Sequence, residues 1–424
     1  MSALPRPLLP IPAPLRGSEY DSFAYHSIVT RLPRIGQRLL ATNDFAPGVV
    51  ARLEELLAEI PKAKIRLLQD AAAPDTEAWV NYVAPYLEYN WLEVPWFFAE
   101  VYFYRRILEA TGYFMAGPGN HADPFAPQKQ RSLEESWERV QALAAQLAAR
   151  RQEGWAKDDL ATFLAIALWG NQGDLSMWPG GSKEQLDADE GDPEGHDRDD
   201  KDDYLVADER GAVVRYLEGR GGTLRIDILM DNAAFELVSD LALVDYFLDS
   251  NLAGTVHLHL KAYPLFVSDA LIQDVRQTID ILAAAGEPAV AAFGGRLQQY
   301  LNEEQVTLSQ NRFWNSPLAA WEMTADMRET LAKATLVLSK GDANYRRLLG
   351  DRHWAFTTPF DQIVSYFPAP LLALRTLKSD LAAGIEAEQL FALTAEGVPW
   401  TTSGRWGVIQ FARQHERVEE PAHD

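Results

Sequence analysis

Residues 227–240, DILMDNAAFELVSD, pass from strand-forming residues into an Asp-Asn pair and at once into a helical pattern. Asp231 and Asn232 therefore stand at a strand's carboxyl end beside a helix N-terminus. Open α/β sheets form ligand crevices there, and unpaired helix N–H groups favour anions. The pair offers two hard oxygen ligands to a cation such as Mg²⁺ or Mn²⁺. Ordinary helix capping also accounts for an Asn at this place, and on the pair alone capping is the better account. Two further segments shift that balance. The strand pattern Thr255–Lys261 leads through a loop to Ser268 and Asp269 at the next helix start. The pattern Thr335–Ser339 leads into Lys340, Gly341, Asp342, Ala343, Asn344 and Tyr345. If the three strands are parallel neighbours, all three polar clusters share one sheet edge. Asp231, Asn232 and Asp269 would then hold a hard divalent cation in part, leaving positions for water and an anionic oxygen. Lys340 offers a positive point charge to a phosphate, and Gly341 lets backbone N–H groups approach it. A solvated loop lysine accounts for Lys340 in isolation. A fourth oxygen-rich turn, Trp169–Ser176, contains Asn171 and Asp174 and follows the apolar helix Leu160–Leu168.

The elements that would carry these residues alternate. Strand patterns at Thr223–Met230, Thr255–Lys261 and Thr335–Ser339 are separated by helical patterns at Ala233–Leu248, Asp269–Ala285 and Ser316–Ala334. That order predicts an α/β fold, a largely parallel sheet covered on both faces. The front of the chain is helical instead. Apolar residues recur at helical spacing over Val49–Leu68 and Ser132–Arg151, and Trp96–Ile107 reads as an aromatic, buried helix. Within it packing suits Tyr102 and Tyr104, whereas Arg105 and Arg106 suit anion contact or salt bridging equally.

Composition removes several classes of function. With 424 residues, 47% of them hydrophobic, the chain can bury a large core and divides into two domains. A net charge of −22 argues against nucleic acid or an anionic membrane as partner. Half of that charge lies in Glu184–Glu209, where thirteen acidic residues face Arg198 and Lys201. This reads as a solvated, flexible loop over residues 180–210, since the DxDxDG spacing of a calcium loop is missing. There is no cysteine, which excludes disulfides and thiolate chemistry. No HExxH, P-loop or GxSxG motif occurs, and His257 and His259, alternating on one strand, suit packing better than a metal. The glycines at 219, 221 and 222 precede a strand, whereas a dinucleotide or adenosyl-cofactor loop follows one. The proline-rich N-terminus lacks a signal peptide's apolar stretch, and no apolar run has transmembrane length, so a cytoplasmic setting is expected.

The chain resembles the damage-control phosphatase family, also described as acidic-residue (protein-glutamate) carboxyl methyltransferases, in the branch marked by an Arg-Thr-x-Lys motif. Here that motif is Arg375-Thr376-Leu377-Lys378. The likeness runs in order through SFAY at 22–25, RLP at 31–33, YRRI at 104–107 and LWGN with DLS at 168–176. It continues through DN with FELVSDL at 231–241, PLFVSD at 264–269, FW at 313–314, KGDANYR at 340–346 and WTT at 400–402.

The resemblance implies a metal-dependent phosphomonoesterase acting on small phosphorylated metabolites, typically fructose 1-phosphate or fructose 6-phosphate. It implies Mn²⁺, Mg²⁺, Co²⁺ or Ni²⁺ held by Asp231, Asn232 and Asp269, with Asp231, Asp269 and Asp342 as catalytic candidates. Arg375 and Lys378 of the branch motif, Lys340 and the loop Gly341, Asp342, Ala343, Asn344 and Tyr345 would bind substrate, with Asn171 and Asp174 lining the same pocket. It further implies a helical bundle over residues 1–155 packed on a three-layer α/β/α metal-binding catalytic domain over 156–424. A monomer without nucleic-acid or membrane partners is expected. Two departures stand out: Ala343 replaces a larger apolar residue common in relatives, and the acidic loop follows directly on Asp174–Ser176. Two other functions remain open. One is an S-adenosylmethionine-dependent protein carboxyl O-methyltransferase, which lacks support from a glycine-rich loop; the other is an acidic scaffold without catalysis.

Overall fold

The computed structural model describes residues 5–156, 158–170, 204–220, 223–395, 397 and 399–413. Among these, seven strands form one sheet: β1 (Leu205–Asp208), β2 (Arg225–Leu229), β3 (Thr255–Lys261), β4 (Val306–Asn311), β5 (Leu336–Lys340), β6 (Leu371–Thr376) and β7 (Gly407–Ala412). Their order is β1-β7-β6-β5-β2-β3-β4. Every pairing is parallel except β6 with β7.

The central strands are buried on both faces, and their side chains alternate between two cores. Ile226 and Ile228 of β2, Leu336 and Leu338 of β5, and Leu372 and Leu374 of β6 enter one core. Leu229, Val337, Leu371 and Ala373 enter the other. The first core is closed by helices that include Asp159–Trp169, Ala234–Asp249, Ile272–Ala283 and Pro288–Asn302. The second is filled by the aromatic helix Trp96–Thr111 together with apolar residues from Leu15 to Ala412. The result is a three-layer α/β/α sandwich with N-terminal helices added. Helix Trp137–Glu153 belongs to the first core and Trp96–Thr111 to the second, so the segment before residue 155 contributes to both layers.

Several predicted elements differ in extent. The helix expected over Ser132–Arg151 is two helices, Ala126–Glu135 and Trp137–Glu153, parted at Ser136. There the Ser136 hydroxyl donates to Ser132 O at 2.7 Å, a local bond that competes with the helical ladder. The pattern at Val49–Leu68 is helical only over Pro47–Glu59, because Pro61 cannot donate a backbone bond. The Ser316–Ala334 pattern, which opens at Pro317, holds only a turn at Ala320–Glu322 and a helix at Ala325–Leu331. The helix expected from Asp269 begins at Ile272. The end of the acidic segment is edge strand β1, not loop; the rest of it lies outside the described residues. No helix among the described residues is long and apolar enough to cross a membrane.

Candidate functional site

β3, β2 and β5 are adjacent and parallel, with Leu229 in register with both His259 and Ser339. The three polar clusters therefore meet at one edge. There they line a cavity of about 180 Å³ whose walls include Asp231, Asn232, Asp269, Asp342 and Lys378. Backbone bonds lock two of the clusters together. Asn232 and Asp269 form an antiparallel bridge, with Ala233 N–H donating to Ser268 O at 2.7 Å and Ala270 N–H to Asp231 O at 2.8 Å. Both metal-candidate loops are thus fixed by main chain before any side chain is considered.

Asn232 does not cap the following helix. The N-cap of Ala234–Asp249 is Ala233, with no side-chain bond. Asn232 Nδ2 instead donates to Asp231 Oδ2 at 2.9 Å and to Glu236 Oε2 at 2.7 Å, and its Oδ1 accepts from Ser268 Oγ at 2.5 Å. The capping account of this residue fails.

Below the cavity lies a concentration of buried acid. Asp231, Glu236, Asp240 and Asp269 are all at most 6% exposed, and the buried lysines Lys261 and Lys340 pair with them. Burial raises the Asp231 pKa well above the usual carboxylate range; Glu236 and Asp269 raise it further, while Lys261 and Lys340 oppose the shift. Burial raises Asp269 as well, and Lys261 offsets this only in part. Asp240 is pushed up to about 7 by burial despite Lys340. Four buried carboxyl groups so close together resist ionising side by side, and a divalent cation would relieve that repulsion. Asp269 Oδ2 is buried without a hydrogen-bond donor; Lys261 Nζ lies 3.1 Å away as an ion pair and donates to Met230 O at 2.9 Å. Among the described residues no group of three or more His, Asp or Glu is arranged to hold a metal. The available donor set is two carboxylates, Asp231 and Asp269, with the Asn232 amide oxygen. Hard oxygen donors and crowded buried carboxyl groups fit Mg²⁺ or Mn²⁺, which keep part of their shell as water and substrate oxygen.

Lys340 takes a different place from the one expected. Its ammonium is buried under the acids, donating to Ala167 O and lying 2.9 Å from Asp240 Oδ1 and 3.5 Å from Glu236 Oε1. Burial lowers its pKa, but Asp240 and Glu236 outweigh that and raise it overall. Lys340 lines the cavity, but its charge is paired with the acidic floor. Gly341, next in the chain, has φ +81° and packs directly on Asp231: a Cβ there would lie 1.8 Å from Asp231 Oδ2.

Asp342 is held through one oxygen. Oδ1 accepts from Arg375 Nε at 2.9 Å and from Ser379 Oγ at 3.0 Å, while Oδ2 has no hydrogen-bond partner among the described residues. Arg375, expected to bind substrate, is fully buried. It donates to Leu381 O and to Ser379 Oγ at 2.7 Å and stands 4.5 Å from the Tyr345 ring centroid. It positions Asp342 and the turn that follows. Along that turn burial alternates: Arg375 and Leu377 point into the protein, and Thr376 and Lys378 line the cavity. Lys378 is half-buried and has no hydrogen-bond or ion-pair partner among the described residues.

Ala343 lines the cavity, and its methyl group takes up little of that space. Asn344 and Tyr345 do not share this position, because the helix Gly341–Leu349 turns both away from it. Asn344 Nδ2 donates to Met230 O at 3.1 Å and Lys340 O at 2.9 Å, and Tyr345 Oη donates to Gln410 at 2.8 Å. They tie the loop to β2 and β7. Asn171 and Asp174 lie outside the described residues.

Elsewhere, Arg105 pairs with Asp70 and Asp75, and Arg106 with Glu59 and Glu109, so both form salt bridges in the core. Tyr102 and Tyr104 are buried. His259 pairs with Asp227 at 2.8 Å and is not among the residues that line the cavity. Sequence reasoning passed over Glu236, Asp240 and Lys261, and also Arg31, Glu100 and Arg346. Glu236 and Asp240 carry a usable signal: two acids four residues apart in a mostly apolar helix share one face and demand buried cations. The second trio comes together from three distant segments, and local sequence holds no trace of it.

A family model described as the damage-control phosphatase ARMT1-like domain matches residues 27–393. The chain is 32% identical over 445 residues to damage-control phosphatase ARMT1 of Danio rerio, covering 95% of this chain and 98% of that protein. It is 31% identical over 449 residues to the Homo sapiens protein of the same name, covering 95% and 98%. Among solved structures, a duf89 family protein from Pyrococcus horikoshii aligns with a TM-score of 0.47 at 14% identity, over 92% of this chain and 98% of that one.

Proposed function

Because the chain belongs to the damage-control phosphatase ARMT1-like family, whose members are phosphatases of metabolite repair, we propose that this cavity hydrolyses small phosphomonoesters with a divalent cation. Sugar phosphates such as fructose 1-phosphate and fructose 6-phosphate are the substrate class, and Mn²⁺, Mg²⁺, Co²⁺ or Ni²⁺ the cofactor. One observation carries the reading. A single cavity joins an over-acidic floor to Lys378, a cation with no acid partner among the described residues.

Asp231, Asn232 and Asp269 would hold the cation. When bound, it supplies charge neutralisation at the phosphoryl group and at the departing sugar oxygen. Lys378 binds the phosphate oxygens. Lys261 and Lys340, each paired with floor acids, limit the mutual repulsion of those carboxylates. Asp342, oriented through Oδ1 by Arg375 and Ser379, accepts a proton from the attacking water through Oδ2. The water oxygen bonds to phosphorus, the bond from phosphorus to the sugar oxygen breaks, and that oxygen leaves as the alcohol after taking a proton from solvent.

The test is phosphate release from a panel of sugar phosphates and p-nitrophenyl phosphate, with each metal, against chelator and Asp269→Ala controls. We expect metal-dependent release, absent in Asp269→Ala at every metal concentration although that variant still melts cooperatively. Release that persists in the variant refutes the metal assignment. No release from the native protein with any metal, together with calorimetric binding of S-adenosylmethionine, would replace the phosphatase reading by methyl transfer.

A further inference from the structure

Phe23, Arg31, Trp96 and Phe266 are among the cavity-lining residues that have no part in this phosphoryl chemistry. Arg31 closes the π-helical turn Ser27–Arg31, a widened turn that recurs at functional sites. The turn places two donors on one acid. Ser27 Oγ donates to Glu100 Oε1 at 2.8 Å, and Arg31 Nη2 donates to the same oxygen. Arg31 Nε reaches Ser27 Oγ at 3.2 Å. Glu100 is fully buried, and its other oxygen accepts from Arg346, which also pairs with Asp351 at 2.8 Å.

Arg346 is shared between Glu100 and Asp351, so Arg31 completes the charge balance of the group, and it does so through one edge of its guanidinium. Arg31 keeps 48% of its side chain exposed, and its Nη1 has no acceptor among the described residues. One edge of its planar fork is fixed by Glu100 and Ser27, and the other edge is unused. Two arginines against Glu100 and Asp351 also make the group neutral as a whole. A neutral group with spare N–H donors selects hydroxyl oxygens over a second anion.

The rings beside it complete the pattern. Trp96 carries the Arg346 guanidinium 3.6 Å from its ring centroid, and Phe23 meets Trp96 edge-on at 5.7 Å. Phe266 has φ +50°, a conformation unfavourable for a bulky residue, and its ring packs on Tyr104 at 5.0 Å. A backbone held in that region is imposed by its surroundings, and such residues cluster at ligand sites. Apolar rings next to a fixed donor fork match a molecule with both C–H faces and hydroxyls.

Resting on the phosphatase reading above, we propose that Arg31 is a specificity-determining residue. Its free edge binds the hydroxyls of the sugar part of a monophosphate, and the neighbouring rings cover the carbon skeleton. The experiment compares kcat/KM for fructose 6-phosphate, which has hydroxyls, with that for p-nitrophenyl phosphate, which has none, in the native protein, Arg31→Ala and Arg31→Lys. The ratio of sugar to aryl phosphate falls about tenfold or more in both variants, chiefly through KM for the sugar. Lysine gives no rescue, because it keeps the charge but lacks the fork. Ser27→Ala, which loosens the fork without removing it, lowers the same ratio by about threefold and covers the case in which an Arg31 variant does not fold. An unchanged ratio, or one restored by lysine, overturns the assignment and leaves the phosphatase reading standing. A native protein that hydrolyses neither compound overturns both.

Discussion

Gly341→Ala is the sharpest perturbation of this site, because one methyl group tests the backbone, the acid floor and the chemistry together. Gly341 has φ +81°, and a Cβ would meet Asp231 Oδ2 at 1.8 Å and its Cγ at 2.2 Å, where ordinary contact begins at 3.4 Å. The left-handed backbone costs an alanine about 1–2 kcal/mol. The stiffer unfolded chain returns roughly 0.4–1 kcal/mol, so the net backbone loss is about 1 kcal/mol. Relief of the contact requires the Asp231 carboxylate to retreat by about 1.6 Å, and a misplacement of about 1 Å at reacting groups can reduce rate about a hundredfold. We therefore expect a small loss in urea stability beside a roughly hundredfold loss in phosphate release, with weakened Mn²⁺ binding by calorimetry. The two losses have separate origins and should not scale together. Turnover within threefold of the native protein would refute the claim that the Asp231 carboxylate must occupy this position.

Lys378→Ala removes a cation that has no partner in the described protein, so the melting temperature should hold while kcat/KM falls about ten- to hundredfold, the range for one charge-assisted contact to phosphate. Steady-state kinetics beside a thermal melt check this, and an unchanged kcat/KM counts against phosphate binding by Lys378. Glu100 gives a pH prediction away from the metal-candidate residues. Burial alone would raise its pKa, but Arg346, Arg31 and the hydrogen bonds from Arg346 and Ser27 overcome that and hold it at about 2, against 4.5 for a free glutamate. A depressed folded-state pKa stabilises fully above the unfolded value, so this contribution, about 3 kcal/mol, is present at neutral pH and is lost as pH falls from about 4.5 toward about 2. Urea midpoints across that range should drop less in Glu100→Gln than in the native protein, and parallel curves would show that Glu100 is not the titrating group.

What the sequence disclosed depended on whether the signal was local. β2, β3 and β5 were readable because each is a compact run of strand-forming residues ending in a polar turn, whereas their adjacency, only a condition in the sequence, is met in the structure. β6 was not readable: LLALRT is buried along its whole length and lacks the alternation that separates a strand from a helical segment. β4 is an exposed edge, VTLSQN, with too few apolar residues to announce itself. β7 pairs antiparallel with β6, a relation that alternating helices and strands do not encode.

The same distinction explains the corrections at the site. Residue type singled out Lys340, and the family motif Arg375, as cations near a substrate, but neither says which side of a wall a charge occupies. Lys340 ends β5 and Arg375 lies within β6, strands buried along their length where an unpaired ammonium or guanidinium would be costly, and both turn toward acids or carbonyls instead. Lys378 escapes this because it lies beyond β6, where alternation has carried it to the cavity side. The division of labour then follows from burial alone. Lys261 and Lys340 inside the sheet layer pair with the acids, and Lys378, half-buried at the rim, keeps its charge available for the phosphate contact proposed above. A reading that ranks basic residues by their expected depth, before assigning them to a ligand, would have separated these roles from sequence.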